Sequence, residues 1–164
     1  MIDVAICPLG DFFESIPKIA EWFYNEWCEI YDVDMQDSVR KRIETWTSND
    51  RIPTALVAVV ANQVVGTVAL KSSELNFPYS PCLAGLYVVP QFRRKGIGAI
   101  LVGAAEQKAA TLEVSRLYLY TPRSQAFYEG LGWSILEQAQ LASGAVSVMS
   151  KCLERHAPDG QASY

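Results

Sequence analysis

The chain has 164 residues, of which 50% are hydrophobic and 20% are charged, and its formal net charge is −4. This length and composition fit one globular domain of about 100–200 residues and exclude a disordered chain. The negative charge argues against nucleic acid or an anionic membrane surface as a binding partner. No apolar run approaches the length of about 20 residues that spans a bilayer, and the N-terminus lacks a signal-peptide pattern. We therefore expect a cytoplasmic protein.

The first half of the chain predicts a strand, two helices and a β-hairpin. Apolar residues recur at helical spacing in both helical segments, and Ser38 is a plausible N-cap of the second. Two β-rich runs are separated by a turn-length gap, which favours antiparallel pairing. The predicted bounds are 2–7 for the strand, 16–28 and 38–48 for the helices, and 54–60 and 64–71 for the hairpin strands.

The second half alternates strands with helices. Residues 83–89 are apolar at positions that would face either side of a strand, which is typical of a central strand covered on both faces. Pro90 ends this predicted strand. The remaining predicted elements are a loop at 72–82, a helix at 97–113, a strand at 116–120, a short helix at 124–131, strands near 133–140 and 146–152, and a polar tail at 155–164.

The element order is therefore β-αα-βββ-α-β-α-ββ. We expect an α+β fold of three layers, with helices on a mixed, mainly antiparallel central sheet of about seven strands. Residues 1–154 are predicted to form one domain.

Cysteine and histidine usage limits the chemistry. The cysteines are far apart without a CxxC pair, so we expect four small buried side chains: Cys7, Cys28, Cys82 and Cys152. The single histidine, His156, lies in the polar tail, which excludes most histidine-dependent triads, and no metal site is predicted. Chemistry must then come from backbone groups, Tyr, Asp, Glu or a positioned water.

A basic, glycine-bearing turn precedes the helix predicted at 97–113. The first turn of a helix has unpaired N–H groups and a partial positive charge, which suit a phosphate, and Gly96 and Gly98 would let the backbone approach it. The glycine spacing alone fits a solvated basic turn equally well. A dinucleotide-binding turn fits less well, because Leu101 stands where its third glycine is expected.

The segment from 83 to 99 resembles the acetyl-CoA signature of the GNAT N-acetyltransferase superfamily, R/Q-x-x-G-x-G/A, here filled by Arg93, Gly96 and Gly98 with Ala99 next. The segment from 121 to 133 is similar to the family's late F-Y-x-x-x-G-F/W motif. The resemblance implies the fold described above and an acetyl-CoA-dependent N-acetyltransferase, in which an amine attacks the thioester directly.

The resemblance also implies roles for individual residues. The fourth strand would splay from the fifth, and an N–H near Val88 would lie by the thioester carbonyl. The implied cofactor-binding residues are Tyr87, Val88, Val89, Arg93, Arg94, Lys95, Gly96, Ile97, Gly98 and Ala99.

Two residues are candidates for proton transfer. Tyr128 matches the family's tyrosine that protonates the departing thiolate, although it would fit an aromatic core beside Phe127 as well. Glu74 could act as the base, directly or through water, or be a solvated loop carboxylate. The asparagine frequent upstream of the family's tyrosine is missing here, where Arg123-Ser124 stand.

Acceptor sites in this family are commonly built by the first two helices and their connection. No basic residue lies between Lys18 and Arg40, whereas carboxylates and aromatic rings alternate there, which predicts a small cationic amine as substrate. The candidate substrate-binding residues are Glu26, Trp27 and Tyr31. A solvated helix face, a protein N-terminus or lysine as acceptor, and a non-catalytic acyl-CoA-binding module are the alternatives. Homodimers are common in the superfamily.

Overall fold

The computed structural model describes residues 2–27, 36–73, 77–141 and 144–153, and its elements follow the predicted order. The strands are β1 Ala5–Pro8, β2 Thr54–Val60, β3 Gln63–Lys71, β4 Cys82–Val88, β5 Arg116–Thr121, β6 Ser134–Leu141 and β7 Gly144–Cys152. The helices are α1 Ile16–Glu26, α2 Gln36–Glu44, α3 Ile97–Thr111 and α4 Gln125–Gly130, with 3-10 segments at Leu9–Ser15 and Pro90–Phe92.

The strands form one seven-stranded sheet in the order β1-β2-β3-β4-β5-β7-β6. β4 and β5 are parallel, and every other neighbouring pair is antiparallel. The mixed, mainly antiparallel sheet predicted from the sequence is therefore confirmed.

Each face of the sheet is covered by its own helices. In β2, Val57 and Val59 pack against α1 and α2, whereas the alternate residue Ala58 packs with α3 on the other face. This alternation follows from the two-residue period of a strand. The predicted apolar stripe of α1 lies in the first of these cores: Ile16, Ile19, Ala20 and Phe23 are all buried.

The hairpin of β2 and β3 has a two-residue turn, because Gln63 already pairs with Val60. Ala61 and Asn62 both have positive φ, of 48° and 64°, as a type I′ turn requires.

β4 leaves the regular sheet on both sides. On the β3 side, Gly85 and Leu86 together oppose Val68, which makes a β-bulge. Gly85 has φ +61°, and a Cβ there would lie 3.2 Å from the Phe23 ring, so this position favours glycine. On the β5 side the only register pair is Cys82 with Tyr118. Beyond it the strands separate, and residues 84–88 are half-buried; we call this opening the β4–β5 gap.

Two sequence expectations need correction. α2 begins at Gln36 and ends at Glu44, so Ser38 lies inside the helix instead of capping it. The helix stops short of residue 48, and the Thr45 hydroxyl just beyond its end donates to the Arg42 carbonyl.

The second correction concerns the cysteines. Cys82 is buried, but Cys7 is half-buried and Cys152 is exposed, because it ends the last strand beside Arg116. Cys28 and the tail at 155–164 lie outside the described residues.

Candidate active site

The glycine turn and the start of α3 lie directly after β4. Gly96 is the N-terminal flanking residue of α3, and the first helical hydrogen bond runs from the Ile100 N–H to the Gly96 carbonyl, at 3.1 Å. The N–H groups of Ile97, Gly98 and Ala99 therefore have no acceptor within the helix. No side chain of the described residues caps this end. Such a helix start can bind an anion through its backbone.

The space around this helix start is open. Gly96 has φ +82°, and a Cβ built on it would meet no atom of the described residues within 4 Å, whereas one on Gly98 would lie 3.5 Å from the Phe127 ring. Arg94 and Lys95 are exposed, and no described residue forms an ion pair with either. The turn thus combines amides without a helical acceptor, two cations without an ion-pair partner among the described residues, and room for an anion.

The end of β4 directs one residue's backbone into the β4–β5 gap. The Val89 N–H donates to the Val65 carbonyl on β3 at 2.9 Å. Because backbone groups alternate sides along a strand, the N–H and C=O of Val88 point away from β3 and into the gap. Tyr87 lies opposite Thr67, and its carbonyl lies against Gly66 of β3. Of the three strand residues predicted to contact the cofactor, Val88 alone presents its backbone groups to the gap.

The Arg93 side chain turns back from the glycine turn toward β4 and α1. Its Nε donates to the Val88 carbonyl at 2.7 Å, and its guanidinium carbon lies 5.3 Å from the centroid of the Tyr87 ring. Its Nη2 lies 3.9 Å from Oε2 of Glu26. The cationic cluster predicted from the sequence is thus divided, with Arg93 on one side and Arg94 and Lys95 on the other.

Tyr128 lies on α4 in the same core cluster as Ile97 of α3. Its ring packs edge-on against Phe127 and Trp133, with centroids 5.0 and 6.0 Å apart. Burial raises the pKa of Tyr128 to about 12. No described residue hydrogen-bonds its hydroxyl. The side chain is therefore part of the core and also carries an unpaired, protonated hydroxyl.

The remaining predicted site residues are distributed between α1 and the undescribed segments. Trp27 follows the last residue of α1, is half-buried and packs edge-on against Phe23 at 4.9 Å. Glu26, next to it, forms the ion pair with Arg93. Tyr31 and Glu74 lie outside the described residues.

Sequence reasoning missed a group of aromatic residues beside the β4–β5 gap, which we call the aromatic cluster: Phe77, Tyr79, Tyr118 and Tyr120. Tyr118 and Tyr120 alternate with core residues that face α3, so they lie on the α1 side of the sheet. The Tyr79 ring stacks on Tyr118 at 5.1 Å, and its hydroxyl donates to Oε2 of Glu137 at 2.9 Å. This hydrogen bond raises the pKa of Tyr79.

Part of the aromatic cluster had a signal in the sequence. The alternation of leucine and tyrosine at 117–120 indicates a strand with two different faces. No local pattern predicts that Phe77 and Tyr79, in a loop, fold onto that strand.

The described part of the chain contains neither a metal-binding cluster nor a membrane-spanning helix. No group of three or more His, Cys, Asp or Glu residues in it could hold a metal ion. Within the same residues, no helix has the length and apolar character needed to cross a membrane.

Comparison with known proteins identifies one family. The sequence profile of the Acetyltransferase (GNAT) family matches residues 16–133. No curated protein matches the chain significantly.

Solved structures of acetyltransferases share the fold. An aminoglycoside 6'-N-acetyltransferase complexed with coenzyme A superimposes with a TM-score of 0.70 at 20% identity, over 88% of this chain and 93% of that one. The aminoglycoside 6'-N-acetyltransferase from Enterococcus faecium gives 0.70 at 19% identity, over 94% and 99%. The paia N-acetyltransferase from Thermoplasma acidophilum, in complex with coenzyme A, gives 0.66 at 20% identity, over 92% and 99%.

Proposed function

The chain belongs to the GNAT acetyltransferase family, is an N-acetyltransferase and takes acetyl-CoA as acyl donor; from this premise we propose that it acetylates a small cationic amine by direct attack in a ternary complex. The observation that carries the proposal is the uncapped start of α3 beside the β4–β5 gap. The pyrophosphate of acetyl-CoA would occupy the start of α3, and the extended arm of the cofactor would lie along β4 in the β4–β5 gap.

We assign the pyrophosphate to the N–H groups at the start of α3 and to the side chains of Arg94 and Lys95. Gly96 keeps that approach clear, because no atom in the described part of the chain lies within 4 Å of the position its Cβ would take. The N–H of Val88 is assigned to the acyl carbonyl oxygen, and Tyr87 and Val89 flank it. One backbone N–H placed against developing negative charge lowers a barrier by about 3–4 kcal/mol.

Bound acetyl-CoA supplies the acetyl group as a thioester. Tyr128 is proposed to hold a proton on its hydroxyl for the departing sulfur, supported by its raised pKa and its unpaired hydroxyl. Glu74 remains the proposed base for the incoming ammonium group.

The amine is proposed to enter from the α1 side of the sheet. Glu26 there is partly neutralised by Arg93, at 3.9 Å. Glu137 has only the neutral Tyr79 hydroxyl as a described partner, and the Tyr79 ring stacks on the Tyr118 ring. Carboxylates and aromatic faces both attract ammonium groups. Trp27 and Tyr31 stay proposed as further contacts to the amine.

Binding of acetyl-CoA, followed calorimetrically, and release of free CoA in the presence of different amines test the proposal. The panel should contain polyamines, aminoglycosides, lysine-bearing peptides, peptides with free N-termini and uncharged aromatic amines. Aminoglycosides are included because two of the similar structures carry that name. No binding of acetyl-CoA at millimolar concentration would refute the donor site.

The acceptor is tested separately by relative rates. We expect turnover of polyamines or aminoglycosides to exceed that of uncharged amines by at least about tenfold. Equal rates would contradict the cationic acceptor, and a preference for peptides would favour a protein substrate.

A further inference from the structure

Arg93 is the first residue of the glycine signature, yet its side chain makes all its contacts away from the helix start. The Nε donor reaches the Val88 carbonyl, the guanidinium lies over Tyr87, and Nη2 faces Glu26. A guanidinium combines directional donors with a flat face that stacks on aromatic rings, and both properties are used here.

These contacts belong to a longer stack that joins α1 to β4. The Tyr87 ring contacts both the Arg93 guanidinium and the Trp22 indole, which stacks on it at 5.3 Å with an interplanar angle of 22°. Lys18 Nζ lies 5.7 Å from the Trp22 ring centroid. Glu26 is one helical turn beyond Trp22, so α1 contacts the Tyr87–Arg93 pair at two points.

The Val88 carbonyl links this stack to the β4–β5 gap. It points into the gap, where it has no partner on β5, and it accepts the Arg93 hydrogen bond. Fixing this carbonyl restrains the last residues of β4, including the Val88 N–H on the same side. The positive charge of Arg93 faces the Glu26 carboxylate, whereas Arg94 and Lys95 have no described ion-pair partner.

We propose that Arg93 is a positioning residue that clamps the end of β4 to α1, and not a ligand of the pyrophosphate. This inference rests on the proposed function, because the clamp aligns the Val88 N–H with the acyl group. It also makes α1, on the proposed amine side, part of the same rigid unit as the donor site. Loss of the clamp should therefore lower turnover while leaving cofactor affinity nearly intact.

The decisive variant is Arg93→Lys, which retains the positive charge but loses the Nε donor and the planar stacking group. A phosphate ligand would tolerate this change, whereas the clamp would not. Arg94→Gln and Lys95→Gln remove charges assigned to the pyrophosphate, and Arg93→Gln removes the Arg93 charge for comparison with them. Arg40→Lys is the matched control for the substitution itself, because Arg40 also faces a carboxylate, Glu44 at 3.7 Å, but lies on α2.

For each variant, the dissociation constant of CoA is measured at low and high salt, together with kcat and the KM for the amine. We expect Arg93→Lys to change CoA affinity by less than threefold, to leave its salt dependence unchanged and to lower kcat about tenfold. Arg94→Gln and Lys95→Gln should each weaken CoA binding about fivefold and reduce the salt dependence. Arg40→Lys should change none of these quantities.

Two results would overturn the clamp: a normal kcat in Arg93→Lys, or weaker CoA binding with reduced salt dependence in Arg93→Gln, equal to that of Arg94→Gln. A thermal unfolding midpoint that falls in Arg93→Lys while kcat is unchanged would also overturn it, since that result describes a structural residue only. Failure of the wild-type chain to bind CoA would instead refute the proposed function, so the two failures are distinguishable.

Discussion

Removal of one oxygen atom by Tyr128→Phe tests the proposed chemistry most directly. The hydroxyl has no hydrogen-bond partner among the described residues, so the substitution breaks no hydrogen bond with them, and the ring stays packed against Phe127 and Trp133. We expect the free energy of unfolding at neutral pH to change by less than about 0.5 kcal/mol.

The expected loss of activity follows from the raised pKa. A phenol of pKa about 12 holds its proton more tightly than a solvated thiol of about 8.5, so complete transfer to a free thiolate is uphill by roughly 5 kcal/mol. Tyr128 then acts mainly as a hydrogen-bond donor to the sulfur, and its contribution should lie at the low end of general acid catalysis, about 10²-fold. Steady-state release of CoA measures the loss of turnover in Tyr128→Phe, and the affinity of the variant for CoA is the control. Unchanged turnover would remove Tyr128 from the mechanism.

The same residue affects stability at high pH. Because its folded pKa lies above the usual value of 10, ionisation of this hydroxyl leaves stability unchanged below pH 10 and lowers it as the pH rises from 10 through 12. The shift corresponds to about 3 kcal/mol. Denaturant unfolding from pH 9 to 12 should therefore show a steeper loss in wild type than in Tyr128→Phe, and parallel curves would contradict the burial of the hydroxyl.

Further predictions concern glycine, core and loop positions. Gly96→Glu should abolish CoA binding in calorimetry, because it adds bulk and negative charge at the helix start, and retained binding would place the pyrophosphate elsewhere. Gly96→Ala should lower stability by about 1–2 kcal/mol because of its φ of +82°, whereas Gly103→Ala, in the exposed middle of α3, should raise it by about 1 kcal/mol; equal effects would contradict the turn geometry. Leu101→Ala removes a fully buried side chain and should cost about 2–5 kcal/mol in denaturant unfolding, with a smaller loss indicating a core that repacks. Glu74→Gln should lower kcat about 10²-fold if Glu74 is the base, and an unchanged pH–rate profile would leave it a solvated carboxylate.

The parts of the fold that the sequence predicted are those with local signals. The buried stripe of α1 has helical spacing, and β2 and β3 are β-rich runs separated by a short turn. The end of α2 was harder, because Thr45 and Thr47 reach back to carbonyls of the helix and terminate it without a glycine or proline.

The site was predictable only where backbone conformation follows from residue type. Gly96 and the start of α3 are examples, since positive φ and an exposed helix start favour glycine. The side-chain direction of Arg93 was not predictable, because it depends on Glu26, which is 67 positions away in sequence. The contact of Tyr79 with Glu137 is equally non-local, at a separation of 58.

The separation of β4 from β5 interrupts the backbone pairing of the sheet. Strands β1–β4 with α3 form one half, β5–β7 with α4 form the other, and only Cys82 and Tyr118 pair across the sheet between them. The Val88 N–H and the start of α3 belong to the first half, whereas the Tyr128 hydroxyl belongs to the second. Ile97 and Leu101 of α3 nevertheless share one hydrophobic core with Leu119, Tyr128 and Met149, so side-chain packing joins the two halves where strand pairing does not. A substitution in this shared core would alter the spacing of the donor groups without replacing any of them.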